Sequence, residues 1–390
     1  MMQRYIFIWI FLLVFIIGCQ NKIDSVNTFS IYYDTLIITT EKQKGNGLFL
    51  PGAGDLQFRD TNEMFPYPIV LPNGLADIKR AQINTDFKAN DSKYVDIIIG
   101  VRNNNEKVFI VDQNNNKDLS DDSIRVWKEI EWYSDQDLIS VMYQISNGRN
   151  MINDSSWIRM GTSNGSLMYG RSEHLIAKFV INSKSYKVGI IDQVATMTFT
   201  YGFDPEIALI SSNSTEKDTL SARDLIRSGE FLSLDGIYYR FDSITNDGGK
   251  IVLIKEEKFE NQVGTQVGMI APEFECVSTE GDTINSAKLI NKMIIIANSC
   301  GCGGDRKSTD AYYKITEKYI EEAHVLHLDS NIKKESSGLH IDMENKYNKA
   351  IYNQYRGAYC SRMCYVISKN NRIIDKFEIT DWESALPKIL

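Results

Sequence analysis

The sequence predicts a two-domain chain: a mainly antiparallel β domain, sandwich or open barrel, followed by an α/β domain. Three observations carry this. Between residues 29 and 257, short runs of β-branched and aromatic residues alternate with turn residues, and helical periodicity is weak. From Gly264 onward, short apolar runs alternate with stripes spaced i, i+4, the rhythm of strands and helices in succession. Ahead of both lies a short apolar leader. The length of 390 residues suits two or three domains, and 43% hydrophobic with 24% charged residues is ordinary globular composition. A formal net charge of −8 argues against a nucleic-acid partner, which selects for a basic face.

The leader is residues 1–18. Arg4 precedes an apolar run from Tyr5 to Ile17, which ends at Gly18-Cys19. The run falls short of the roughly 20 residues that span a bilayer comfortably, and a charged end, an apolar middle and a small residue before the cut describe a secretory signal. Ile16-Ile17-Gly18-Cys19 resembles the lipobox of bacterial lipoproteins. The resemblance implies cleavage before Cys19, acylation of that residue and anchorage to a lipid bilayer in the cell envelope, with the chain outside the cytoplasm and facing the periplasm. Multiple acyl chains hold stably where one is marginal. The competing reading is an uncleaved anchor. Residues 19–28 are polar and read as a lipidated tether.

Residues 29–257 form the expected β domain, with room for subdivision. Runs such as YVDIIIGV, KVFIVD, LIAKFVI and KIVLIKE are its candidate strands. Lys107–Gln113 (KVFIVDQ) echoes Lys187–Gln193 (KVGIIDQ), and Phe231–Ile254 has similar hairpin logic, so three related hairpins are expected to stack. Asp112, Asn114, Asn116 and Asp118 alternate as the first four ligands of a calcium loop do. Lys117 and Ser123 stand where such a loop wants Gly and Glu, so an Asn/Asp-rich turn is the alternative. Trp127, Trp132 and Trp157 are expected to pack in the core or at its rim.

In the third segment, residues 264–390, Met293–Ala297 reads as a buried strand. It leads into a turn with Cys300 and Cys302, and a helix is expected from about Ser308. A helix N-terminus lowers a thiol pKa by its dipole and free N–H groups, so this placement favours a reactive thiolate. Ala311, Ile315, Tyr319 and Ala323 mark one helix face; His324–Asp329 reads as the next parallel strand. Met343, Tyr347, Ile351 and Tyr355 mark another helix, and Cys364–Ile379 a strand, an Asn-Asn turn and its antiparallel partner. Asp381–Leu390 supplies a closing helix. As isolated residues, His324, His327 and His340 read as solvated or packed.

The segment resembles the thioredoxin-like redoxin families, including membrane-tethered thioredoxins and peroxiredoxins, through Gly268, Ala271-Pro272, Phe274, Gly281, Leu289, Lys292 and the strand ending at cysteine. The resemblance implies a βαβαββα thioredoxin fold and thiol–disulfide exchange with client protein thiols or disulfides, no cofactor being required. Cys300-Gly301-Cys302 is one residue shorter than the family's Cys-x-x-Cys. The loop that holds a cis-proline in the family instead reads Cys360-Ser-Arg362-Met-Cys364. Since the fold sets the two loops side by side, Cys360, Arg362 and Cys364 are expected beside the pair as accessory redox or structural groups. Four such thiols would also suit zinc. The alternative function is a redox-inert binding or structural lipoprotein whose cysteines form structural disulfides. Cys276, on the entry strand, reads as a lone packed thiol or an unpaired surface one.

Overall fold

The computed structural model describes residues 29–390 apart from 33, 53, 62, 64, 87–92, 193–197, 211–219, 222, 257–258, 300–305, 329–338, 343–344 and 357–360. The expectations placed on Cys19, Cys300, Cys302 and Cys360 therefore lie outside the described residues. No helix among the described residues is long and apolar enough to cross a membrane.

Before residue 257 the described strand ladders are antiparallel, as expected. They build four sheets that share two apolar cores, where one sandwich or barrel was expected. In one core, Ile38, Phe241 and Leu253 meet Ala177, Val188 and Ile190 from the sheet of Glu173–Ile181 and Lys184–Asp192. In the other, Val95, Ile97 and Val111 meet Val141, Ile145 and Ile158. Strand alternation produces these faces: along Ile139–Ser146 every second residue is buried. Alternation tells which face is buried but not which sheet covers it. The three echoing hairpins are not a stack, because Lys107–Val111, Lys184–Asp192 and Phe231–Leu234 belong to three different sheets.

Of the two readings of residues 112–118, calcium loop or Asn/Asp-rich turn, the hydrogen bonding is that of the turn. Asp112 is fully buried, and its carboxylate accepts the backbone N–H groups of Asn116 and Lys117, each at 3.1 Å. The Lys117 ammonium lies 4.0 Å from Asp112 Oδ2 and 3.5 Å from Asp96 Oδ2, and donates to the Tyr94 carbonyl at 3.0 Å. It supplies the positive charge that a metal would bring. The Asn114 and Asn116 amides donate to Asp121, and Asp118 accepts the N–H of Ser120. Asn115 and Lys117 take positive φ of 59° and 69°, as in an Asn/Asp-rich turn. Among the described residues no group of three or more His, Cys, Asp and Glu side chains is placed to hold a metal ion. Millimolar calcium is therefore expected to leave the thermal midpoint unchanged. Lys117→Met is expected to cost about 1–3 kcal/mol in a urea melt, by leaving buried carboxylates without their donor.

After residue 264 the texture changes as expected. A five-stranded mixed sheet runs in the order Leu339–Ile341, Ala323–Leu328, Met293–Asn298, Met363–Ile367, Ile373–Glu378. The first three strands are parallel, and the last two join antiparallel. Helices Arg306–Tyr319 and Trp382–Ala385 cover one face, and Lys349–Tyr355 covers the other. The central strand shows why: Ile294 and Ile296 face one helical layer, Ile295 and Ala297 the other, so it is apolar throughout. This strand order with helices on both faces is a thioredoxin-like fold over about a third of the chain. It differs from expectation in two places. The three-residue strand Leu339–Ile341 adds an edge, too short to show a period. The closing helix is only Trp382–Ala385, flanked by 3-10 turns.

A polar seam ties this sheet to the preceding strands. Lys376 Nζ lies 2.9 Å from Glu230 Oε2 and donates to the Leu225 carbonyl at 2.9 Å, both side chains about 95% enclosed. Arg227 pairs with Glu206 at 3.2 Å and reaches the Tyr365 hydroxyl at 3.5 Å; Arg223 pairs with Asp375. The Gln266 amide accepts from Phe231 N–H and donates to Phe231 C=O, each at 2.7 Å, as a neighbouring strand would.

Candidate functional site

The central strand ends at Asn298, and helix Arg306–Tyr319 begins eight residues on. Cys300 and Cys302 lie between, outside the described residues. What the structure describes is the floor from which that segment leaves. The Asn298 side chain is fully buried and donates to the carbonyls of Tyr355, at 3.0 Å, and Met363, at 2.8 Å. One amide thus ties the central strand to the end of one helix and the start of the next strand. Arg356 adds a second clamp, donating to the carbonyls of Leu328, at 2.6 Å, and Ser299, at 3.1 Å. Both segments that carry the expected thiols, after Ser299 and after Arg356, leave from this knot.

Beneath it runs a chain of hydrogen bonds. Ser299 Oγ is 2.7 Å from His327 Nε2, and His327 Nδ1 is 2.9 Å from His340 Nδ1. All three are buried. The histidines are direct neighbours in the parallel register of Ala323–Leu328 and Leu339–Ile341. The Tyr312 ring stacks on His327 with centroids 3.9 Å apart and planes 10° apart. The sequence reading gave no role to Asn298, Ser299 or Arg356, and took His327 and His340 as isolated residues, solvated or packed; both are packed. The available signal was that His327 stands near the C-terminal end of a parallel strand, where sites in such sheets gather. Its partner was hidden in a strand too short to recognise.

Burial, then His340, then the Arg356 guanidinium hold His327 well below the ordinary imidazole value of 6.5. It is neutral in the folded chain near neutral pH, so within the chain one nitrogen donates and the other accepts. The unfolded chain takes up this proton as pH falls through about 6.5, whereas the folded chain does not. The stability this group confers is complete above that pH and is lost progressively below it, down to the depressed folded value. A urea midpoint measured from about pH 7 to pH 5 is expected to fall, and His327→Gln is expected to flatten that slope.

Cys364 corrects one expectation. It sits inside strand Met363–Ile367, fully buried, opposite Ala297 and Phe377. Its parity is that of Val366, so it packs into the core beneath helix Arg306–Tyr319. Burial, helped by Asp375, pushes its thiol far above the usual range. It is a free thiol, packed as a structural apolar group, and is poorly suited to exchange or to a four-thiolate zinc site. Cys276 is likewise free and buried, and burial pushes its thiol up to about 12. Arg362 lies at the surface, 3.7 Å from Glu378.

A scan against protein-family models finds no match, nor does a search of curated proteins. Among solved structures, similarity is confined to about a third of the chain. A Bacteroides vulgatus protein described as a thiol-disulfide oxidoreductase shows 16% identity over 32% of this chain and 98% of its own, with a TM-score of 0.28. A thiol:disulfide interchange protein from a Bacteroides species shows 12% identity over 32% and 89%, with a TM-score of 0.27. The thioredoxin domain of another Bacteroides vulgatus thiol-disulfide oxidoreductase shows 11% identity over 32% and 98%, with a TM-score of 0.26.

Proposed function

We propose that the chain is an extracytoplasmic thiol–disulfide oxidoreductase, anchored to a membrane through acylated Cys19. Cys300 is the attacking thiol and Cys302 the resolving one. The observation that supports this best is the buried knot of Asn298, Ser299, His327 and Arg356 at the C-terminal end of the central strand. It holds the roots of both thiol-bearing segments together. His327, held neutral by burial, adds no charge beside Ser299, from which the Cys300 segment continues.

In the forward direction the Cys300 thiolate attacks a client disulfide, forming a mixed disulfide and releasing one client thiolate. The Cys302 thiolate then attacks the Cys300 sulfur and releases the second. Two electrons pass to the client, and the protein is left with a Cys300–Cys302 disulfide, which an external dithiol must reduce. With Cys364 packed in the core, resolution falls to Cys302. The test is reduction of insulin disulfides by the purified chain with dithiothreitol as the external dithiol. A rate above dithiothreitol alone is expected. A rate equal to it in both the parent and the Cys300→Ser/Cys302→Ser variant refutes the reading.

A further inference from the structure

A second site lies among the β sheets, independent of the thiols. A cleft of about 790 Å³ opens over strands Glu41–Lys44, Glu173–Ile181 and Lys184–Asp192. That is the size of a ligand of a few rings. Gly189 lets Ile210 and Phe49, both lining residues, pack closely on the sheet; a Cβ there would come within 2.6 Å of Ile210 and 3.1 Å of Phe49.

The charge in this cleft is unusual for so acidic a chain. Lys178 and Lys187 stand directly opposite each other across the two antiparallel strands. Like charges in that register destabilise a sheet. Lys44 also faces the cleft, and among the described residues none of the three lysines has a carboxylate partner. The one carboxylate in the lining, Asp135, is taken by Arg159 at 3.2 Å. Arg159 is itself held by the Ser134 carbonyl and the Asn46 side chain. Burial, and then Lys187, keep the cleft's imidazole, His174, below its ordinary pKa, so it brings no compensating group. Positive charge set against itself, with no carboxylate partner for these lysines among the described residues, suits an external anion.

The rest of the wall says what kind of anion. Trp132 is partly buried and Tyr133 is 80% exposed, and both aromatic side chains line the cleft. Between them and the lysines lie amides, from Asn46 and Gln43, and the backbone of the loop after Gly47. Leu48, Phe49, Leu50, Pro51, Ile176 and Ile210 add apolar wall, on which the faces of sugar rings can rest. Aromatic faces, amide hydrogen-bonding groups and spaced ammonium groups together suit rings that carry hydroxyls along with acidic substituents.

We propose that this cleft binds an acidic saccharide, a short run of hydroxylated rings bearing anionic groups. The test is calorimetric titration of the full chain in detergent with tri-galacturonic acid, maltotriose and sodium sulfate. Saturable binding of the acidic trimer is expected, weakening as salt rises, with maltotriose far weaker. Lys178→Gln/Lys187→Gln is expected to lose about tenfold in affinity. Its thermal midpoint is expected to hold or rise, because the variant relieves the cross-strand repulsion; a merely structural role would lower it. Trp132→Ala and Lys44→Gln, which leave that lysine pair intact, are each expected to weaken binding. The proposal is overturned if the trimer does not bind, if maltotriose binds as well, or if the lysine variant binds like the parent. It is also overturned if sulfate displaces the trimer completely while Trp132→Ala keeps full affinity, since that describes a simple anion site.

Discussion

Cys300→Ser is expected to drop insulin-disulfide reduction to the rate of dithiothreitol alone, and Cys302→Ser is expected to accumulate a mixed disulfide. The two outcomes differ because the two thiols differ in role. Without the first there is no attack on the client disulfide. Without the second the attack proceeds, but nothing displaces the client from Cys300, so a covalent adduct sensitive to reductant builds up. A serine is close in size to cysteine, so folding should be spared. Cys364→Ala is the control. Its side chain faces the core, so the variant should lose some stability through the missing sulfur and keep its exchange rate. An equal loss of activity in Cys364→Ala, without a loss of stability, would return that thiol to the mechanism. Non-reducing gels and intact mass spectra separate these cases.

Lys376→Met is expected to destabilise the folded chain by about 3–5 kcal/mol, the largest effect on stability anticipated here. Lys376 and Glu230 are about 95% enclosed, and the ammonium makes two contacts to the carboxylate, at 2.9 and 3.2 Å. Removing one partner leaves the other charge buried. The carboxylate keeps the Thr265 hydroxyl at 3.2 Å, a smaller compensation. Replacing both residues together with apolar side chains is expected to recover much of the loss, because the desolvation penalty then goes with the pair. Because the pair joins the C-terminal mixed sheet to the preceding strands, urea melts followed separately by Trp382 and by the upstream tryptophans should lose coincidence in the single variant. A change within about 0.5 kcal/mol would show that the seam is open to water.

The sequence made the central strand legible because Met293–Ala297 is an uninterrupted apolar run ending in a turn. It made the main helix legible because Ala311, Ile315 and Tyr319 repeat at one turn's spacing. Cys276 could be read only as packed or as an unpaired surface thiol, and the fold buries it. The partnership of four β sheets in two cores could not be read, since alternation marks a buried face without naming its cover. The Asp112 turn misled for a related reason. Oxygen spacing suggests a cation, but only the fold reveals that Lys117, a residue of the same turn, brings the positive charge. His327 and His340 are 13 residues apart in sequence and become neighbours through parallel pairing. The Ser299–His327–His340 chain is thus a tertiary product with no local signature.

The most direct measurement of the central claim is the pH dependence of iodoacetamide alkylation at each cysteine of the native chain after mild reduction, followed by peptide mapping. The proposed mechanism requires Cys300 to react with a midpoint below about 7.5, under the ordinary thiol value of about 8.5. Cys276 and Cys364 should stay unlabelled until the chain unfolds. A Cys300 that reacts no faster than a cysteine of the unfolded chain, or only once the fold is lost, would contradict the mechanism.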